Sequence, residues 1–447
     1  MTIYVPKDVQ MIIDRLEAHG HSAYIVGGCV RDAIMGRAPH DYDICTSALP
    51  NEVLSIFIDR KVIETGLQHG TVTVQGDNDY YEVTTYRIDG EYTDGRHPDS
   101  VSFVNDVVAD LSRRDFTINA MAYNARTGLV DPFNGYEDIQ NNLIRCVGNP
   151  INRFNEDALR IMRAVRFAAT CNFEIHPDTH NAMLQLKDLL ALVSEERKTS
   201  EFNKMLLNAN FDLLWKYREI FATFIPELTA TFDFEQNNPH HIYDVYAHIA
   251  HAVSNAPQNA YIRLALMFHD IAKPLTYVED ENGVGHFYGH ADVGTAMANN
   301  IMKRMRMDND TITIVAQLIA AHDVSLSTSL KFTRKMICKF GEEQFRRLVE
   351  VIRADKLAQS QNDDTLNNLA MLDVISQNID EVKANDECFT LKNLAINGHD
   401  LISIGIIDGK TIGRTLQYLL DVVLSDPTKN DKSVLMSLAL SYSESII

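Results

Sequence analysis

The chain has 447 residues, with 41 Lys+Arg against 61 Asp+Glu and a formal net charge of −20. Hydrophobic content of 45% and charged content of 23% exclude a mostly disordered chain, and 21 Gly with 12 Pro exclude a collagen-like or low-complexity one. No apolar run approaches the ~18–20 residues of a membrane helix, and the acidic balance argues against a non-specific nucleic-acid binder, which carries a basic field.

Residues 1–20 carry Lys7, Asp8, Asp14, Arg15 and Glu17 and no apolar signal-peptide core, so a cytoplasmic protein is expected. A helical pattern over 9–18 precedes strand-like runs at Ala23–Val26, Thr71–Gln75 and 81–86, rich in β-branched and aromatic residues. Together they predict a small mixed α and β domain over residues 1–140. Strand signals then fade. Helical periodicity over 157–169, 177–192 and 200–208 predicts an all-α segment, residues 141–230. Residues 231–360 are helical and histidine-rich, and a polar run near 359–364 marks off a helical tail, 361–447. The fold class expected is therefore α+β. The six cysteines show no C-x-x-C spacing, so reduced structural thiols are the expectation.

Gly27-Gly28-Cys29-Val30-Arg31-Asp32 follows the first strand and opens a helical pattern. Two glycines at such a turn let backbone N–H groups approach a phosphate, and Arg31 adds a charged fork. Ten residues on, Asp41 and Asp43 would share one face of a strand. Two adjacent carboxylates need a cation, and Mg²⁺ with substrate phosphates is the usual answer. Alone, the first motif is equally a tight turn with a surface arginine, and the second a polar turn.

Together, in the form GGCVRDAIMGRAPHDYDICTSA, they resemble the nucleotidyltransferase superfamily that includes DNA polymerase β. More closely they resemble its class II branch of tRNA nucleotidyltransferases and bacterial poly(A) polymerases. YEVTTYRIDGEYTDGRHPDSVSF, RRDFTINAMAYN, DPFNGYEDIQ, RFNEDALRIMRAVRFA and SEERKTSEFNKML continue the resemblance in order over residues ~20–205. It implies a polymerase β-like head of mixed sheet and helices, then an all-α neck. It implies triphosphate contacts at Gly28 and Arg31, Mg²⁺ ligands at Asp41 and Asp43, and a nucleotide-contacting arginine at Arg114, with Arg113 the alternative. Glu82 on the neighbouring strand is a weaker candidate for the same site. The segment 88–104, with Asp94-Gly95-Arg96, resembles a loop needed for adding the final adenosine.

Asp157, Arg160, Arg163 and Arg166 recur every three residues, and on a helix the first three share one broad face. By itself this is also a solvated charged stripe. A carboxylate accepts from the exocyclic amine of cytosine or adenine, and a guanidinium donates to the neighbouring ring nitrogen. Guanine and uracil present a carbonyl and a ring N–H there instead, and each mismatched buried polar contact costs roughly 1–3 kcal/mol. The resemblance gives this role to the EDALR residues Asp157 and Arg160, with Arg163 and Arg166 near phosphate or sugar.

His248, His269-Asp270 in LALMFHDIAKP, His290, His322-Asp323 and Asp355 resemble the ordered ligands of HD phosphohydrolases. That resemblance implies a metal held by His248, His269, Asp270 and Asp355, a second completed by His290 and His322, and Lys273 on a phosphate. Such ligands suit Ni²⁺, Mn²⁺ or another divalent ion. The whole reading is an enzyme that adds C, C and A to a tRNA 3′ end from CTP and ATP, with an HD-type body and a tRNA-contacting tail around Gly405 and Gly409. The alternatives are an A-adding enzyme, a poly(A) polymerase, or an HD phosphohydrolase acting on RNA ends.

Overall fold

The computed structural model describes residues 2–39, 41–90, 92, 100–385 and 390–446. The Asp94-Gly95-Arg96 motif and Cys388 lie outside them. The chain forms two compact units: residues 1–209 with 216–226, and residues 210–215 with 227–447.

The first unit opens with α1 (Lys7–Ala18), β1 (Ala23–Val26), α2 (Gly28–Ile34), β2 (Asp43–Thr46) and α3 (Pro50–Ile56). Next come β3 (Val62–Gly66), β4 (Thr71–Gln75), β5 (Tyr80–Thr85) and a ribbon of β6 (Arg87–Asp89) with β7 (Val101–Phe103). Then follow α4 (Val107–Ser112), β8 (Ala122–Asn124), β9 (Gly128–Val130) and α5 (Gly135–Gln140). Seven strands make one mixed sheet in the order β3-β4-β5-β2-β1-β8-β9, with β2 and β5 parallel. The alternation Thr-Val-Thr-Val-Gln in β4 buries Val72 and Val74 on one face, as a half-covered strand must. Val26, Cys45, Tyr86, Leu111, Ala120, Ala122 and Val147 form a core beneath the sheet.

Helices then take over, around a short parallel pair of β10 (Leu143–Ile144) and β11 (Glu174–Ile175): α6 (Pro150–Glu156), α7 (Leu159–Cys171), α8 (Pro177–Leu186), α9 (Glu195–Leu206), α10 (Phe211–Lys216), most of which belongs to the second unit, and α11 (Arg218–Ala222). The expected helix over 157–169 starts later than its periodicity suggested. Asp157 is not helical: at φ −146°, ψ 103° it forms the joint between α6 and α7. The expected start near residue 200 is also corrected, because α9 begins at Glu195 behind Ser194. Its early turns are polar and carry little periodic signal.

The second unit is helical apart from a short hairpin. It runs α12 (Val245–Asn255), α13 (Ala260–Phe268), α14 (Lys273–Thr276), β12 (Tyr277–Glu279), β13 (Gly285–Phe287), α15 (His290–Arg304) and α16 (Asn309–Ala321). It continues with α17 (Leu330–Phe340), α18 (Glu342–Leu357), α19 (Asp363–Ala384), α20 (Gly398–Ser403), α21 (Gly409–Ser425) and α22 (Lys432–Ile446). Asp244 caps α12 by accepting from Ala247 N, and Asn259 caps α13, so both helices start where a side-chain acceptor meets orphan N–H groups. Among the described residues no helix is long and apolar enough to cross a membrane. Cys29, Cys45, Cys146, Cys171 and Cys338 are free thiols.

Candidate active sites

In the first unit, β1 ends at Val26, whose cross-strand partner is Asp43. The chain turns at Gly27 (φ +80°, ψ −123°) and enters α2 at Gly28. That backbone conformation is open to glycine and strained for other residues. A Cβ on Gly27 would also stand 2.8 Å from Arg114 Nη1. Gly27→Ala is therefore expected to cost about 1–3 kcal/mol in denaturant unfolding. It should also weaken nucleotide binding, because the Arg114 guanidinium must move.

Asp43 opens β2, and β2 pairs with β5 so that Ile44 lies beside Val83. Asp43 and Glu82 thus stand at the same level of neighbouring strands. Asp41 precedes β2, so the expected same-face pairing of two strand residues is corrected: only Asp43 belongs to the strand. Asp41 is nonetheless near enough to act by charge. Burial raises the Asp43 carboxyl above its ordinary range, Arg114 opposes the rise and Asp41 adds to it. Burial, Asp43 and Asp41 raise Glu82 in turn. Three carboxylates gathered at one place, with Asp43 and Glu82 hindered from ionising, fit a hard divalent cation, and an all-oxygen set suits Mg²⁺.

A cleft of about 360 Å³ gathers Gly27, Gly28, Arg31, Asp43, Arg114, Asp157, Arg160 and Arg163 around it. Arg31 donates to Asn119 Oδ1 at 2.7 Å and pairs with Asp32 at 2.8 Å. Arg113 borders the cleft, but its guanidinium pairs with Asp110 at 2.9 Å and faces Asp89 at 3.5 Å. Of the two adjacent arginines, Arg114 is the one turned to the glycines. Arg160 is buried; it donates to Glu156 Oε2 at 2.5 Å and to the carbonyls of Arg153 and Arg113 at 3.1 Å each. Asp157 accepts two bonds from Arg197, at 2.7 and 3.3 Å. Arg163 donates to Asp115 Oδ2 at 2.8 Å. Arg166 does not join this cleft. It pairs with Glu201 at 2.6 Å and lies 3.9 Å over the Phe167 ring.

In the second unit, six buried side chains converge. Ligand atoms of His248, His269, Asp270 and Asp355 form one group, and those of Asp270, His290 and His322 form another, each within 4.8 Å of one another. His269 and His322 donate through Nδ1 to the Leu266 and Ile319 carbonyls, both at 2.7 Å. His290 donates likewise to Phe287 at 2.8 Å, and His248 to Ala358 at 3.3 Å. A carbonyl only accepts, so the proton of each neutral ring sits on Nδ1 and Nε2 carries a lone pair. Those lone pairs face each other: His248 Nε2 is 3.3 Å from His269 Nε2, and His290 Nε2 is 3.1 Å from His322 Nε2.

His248 Nε2 is also 2.9 Å from Asp355 Oδ1. Acceptors pointed at acceptors in a buried site fit cations, with the backbone carbonyls fixing the ring tautomers from behind. Asp270 belongs to both groups: Oδ2 is 3.2 Å from His248 and His269, and Oδ1 is 3.5 Å from His290. Burial works against the Asp270 charge, but the Lys273 ammonium beside it holds the carboxyl well below its usual range. Lys273, expected on a phosphate, is buried and engaged with Asp270 Oδ2 at 2.7 Å and Gln236 Oε1 at 2.8 Å.

Residues 23–145 match the family model described as the poly A polymerase head domain. Residues 172–232 match a probable RNA- and SrmB-binding site of polymerase A, and residues 284–439 a putative tRNA nucleotidyltransferase domain 2. The chain is thus similar to the tRNA nucleotidyltransferase and poly(A) polymerase family, and residues 23–145 carry its head domain. A CCA-adding enzyme of Streptococcus suis is 50% identical over 196 residues, 44% of this chain and 48% of that protein. One from Geobacillus kaustophilus is 51% identical over 195 residues, again 44% and 48%. The chain thus matches about half the length of these curated relatives.

The structure of the Bacillus stearothermophilus CCA-adding enzyme in complex with CTP superposes with TM-score 0.69 at 27% identity, over 98% of each chain. The Thermotoga maritima CCA-adding enzyme complexed with tRNA shares the fold, with TM-score 0.61 at 19% identity over 98% of this chain and 96% of that one. Nucleotidyltransferases of this family imply use of a divalent metal.

Within this nucleotidyltransferase head, sequence reasoning passed over three residues. Asp115 is buried and accepts from Arg163 and, at 3.1 Å, from Asn119, whose Oδ1 accepts from Arg31. Burial opposes its ionisation, yet Arg163 and Asn119 hold the Asp115 carboxyl down at about 2. Arg31, Asn119, Asp115 and Arg163 therefore form one bonded chain from the glycine turn to α7. The signal was the Asp-x-x-x-Asn spacing in RRDFTINA. Arg197, the partner of Asp157, sits within SEERKTSEF and offered no spacing rule of its own.

Proposed function

We propose that the chain is a CCA-adding tRNA nucleotidyltransferase that extends a tRNA 3′ end with C, C and A from CTP and ATP and releases pyrophosphate. One observation carries this reading: a glycine turn with Arg31 and Arg114, the Asp43 carboxylate, and the Asp157 and Arg160 pair all face a single cleft. Arg31 and Arg114 bind the triphosphate. Asp157 accepts from the amine of cytosine or adenine and Arg160 donates to the adjacent ring nitrogen, so guanine and uracil meet like against like.

Both readers are held from behind, Asp157 by Arg197 and Arg160 by Glu156, which fixes their spacing. Asp41, Asp43 and Glu82 would hold Mg²⁺, which supplies activation of the attacking hydroxyl and charge stabilisation of the leaving pyrophosphate. The protein's own part is position and preorganised charge. The partners are the tRNA 3′ end and the two nucleotides, and the cytoplasm is where the enzyme works.

The test is a tRNA transcript lacking its 3′ end, incubated with Mg²⁺ and CTP, ATP or both, and resolved at single-nucleotide resolution. Two added residues with CTP, three with both and then a stop are expected. A ladder with ATP alone would make it a poly(A) polymerase. Growth only from a transcript ending in CC would make it an A-adding enzyme.

A second activity is favoured by the histidine cluster. Six ligand-type side chains in two groups that share Asp270 fit an HD-type metal centre, and the reading is a phosphohydrolase acting on phosphate esters at RNA ends, with Ni²⁺ or Mn²⁺ held by His248, His269, Asp270, Asp355, His290 and His322.

A further inference from the structure

The histidine cluster lies at the base of a cleft of about 660 Å³. Most of the cleft wall is polar and small, including Asn238, Gln359, Asn367 and Asn368. Phe287 and Tyr288 add two aromatic side chains to it, and Tyr288 is the outward one, 73% exposed. A single exposed tyrosine is ordinary on a protein surface. This one is set in place. Its ring stacks on His286, with centroids 5.4 Å apart and planes 11° from parallel. His286 is itself fastened by Asp280, 3.1 Å from Nε2.

Tyr288 also follows directly on β13, which pairs with β12, and stands two residues before His290 of the cluster. Two residues of chain span at most ~7 Å. Phe287 accepts from His290 Nδ1, tying the strand to the metal-type ligand. The platform and the cluster residues Asp270, His290, His322 and Asp355 thus line one cleft.

We infer that Tyr288, backed by His286, is a stacking platform for the nucleobase of a nucleoside phosphate whose phosphate sits at the histidine–aspartate cluster. The inference rests on the metal-centre reading of that cluster and adds a specificity-determining residue to it. An aromatic face takes any base, because every base has a π-face, so the site selects nucleoside phosphates over other phosphate esters without a strong choice among bases.

The test is equilibrium binding to the full-length chain loaded with Mn²⁺, comparing wild type with Tyr288→Ala and Tyr288→Phe. The probes are adenosine 2′-monophosphate, a short RNA ending in a 3′-phosphate, ribose 5-phosphate and inorganic phosphate. Tyr288→Ala should weaken the adenosine probe about tenfold, which is about 1.4 kcal/mol. Phosphate and ribose phosphate should bind unchanged, and Tyr288→Phe should restore the nucleotide. The nucleotidyltransferase head also binds nucleotides, but it contributes equally to all three proteins and cancels.

A loss confined to the RNA would identify an RNA terminus as the ligand. An equal loss for every probe would make Tyr288 structural, and no loss for either nucleotide probe would overturn the platform. If Mn²⁺ itself fails to bind, the metal-centre reading falls first and the platform with it.

Discussion

Replacing Asp43 with alanine should abolish nucleotide addition, lowering kcat at least about a thousandfold, while leaving the fold and any hydrolysis by the second unit intact. The expectation follows from position. Asp43 is fixed opposite Val26 at the end of β1, beside the glycine turn, and faces Arg114, Asp41 and Glu82. Loss of one preorganised group that stabilises developing charge costs about 10²–10³ in kcat, and a group that also holds the metal costs more. Asp43 opens onto the cleft although surrounding protein crowds its carboxyl, so its removal leaves no closed cavity. Single-turnover addition of CTP to a truncated tRNA, alongside a thermal melt, reads both quantities. Addition that survives the change would remove Asp43 from the metal site.

Asp270→Ala should abolish hydrolysis and metal binding by the second unit and lower its stability by about 3–5 kcal/mol. Asp270 is buried and faces Lys273, His248, His269 and His290 at 2.7–3.5 Å. Truncation leaves the Lys273 ammonium buried with its carboxylate gone and removes the residue common to both ligand groups. The clearest measurement is the unfolding midpoint with and without Mn²⁺. A metal that binds only the folded chain adds RT ln(1 + [L]/Kd), about 2.7 kcal/mol at a hundredfold excess over Kd. The wild type should therefore gain stability from Mn²⁺ and lose it to a chelator, and Asp270→Ala should respond to neither. A wild type indifferent to metal would sink the centre.

What the sequence revealed, and what it withheld, follows from the range of the interactions. β1 and β4 were legible to the residue, because β-branched alternation and the flanking turns are local signals. The convergence of the histidines and aspartates of the second unit was legible from their order and type. The joint at Asp157 was hidden, because a period of three continues smoothly across a break that only the backbone reveals. The partner of Arg166 was hidden for the same reason: the stripe gives a helix face, but Glu201 on α9 decides where that arginine ends. Lys273 and Asp115 depended on partners 37 and 48 residues away. Such distant pairings leave no spacing rule in one chain, and only the local Asp115–Asn119 bond did.

Of the three proposed Mg²⁺ ligands of the head, Asp43 and Asp41 are mechanically unequal. Asp43 belongs to a strand clamped on one side by β1 and on the other by β5. A slip of one residue would turn it to the opposite face of the sheet. Asp41 lies ahead of that ladder and is not held by it. The pair resembles a vice with one fixed jaw and one adjustable jaw: the first sets where an ion rests relative to the phosphate turn, and the second accommodates its coordination without disturbing that distance.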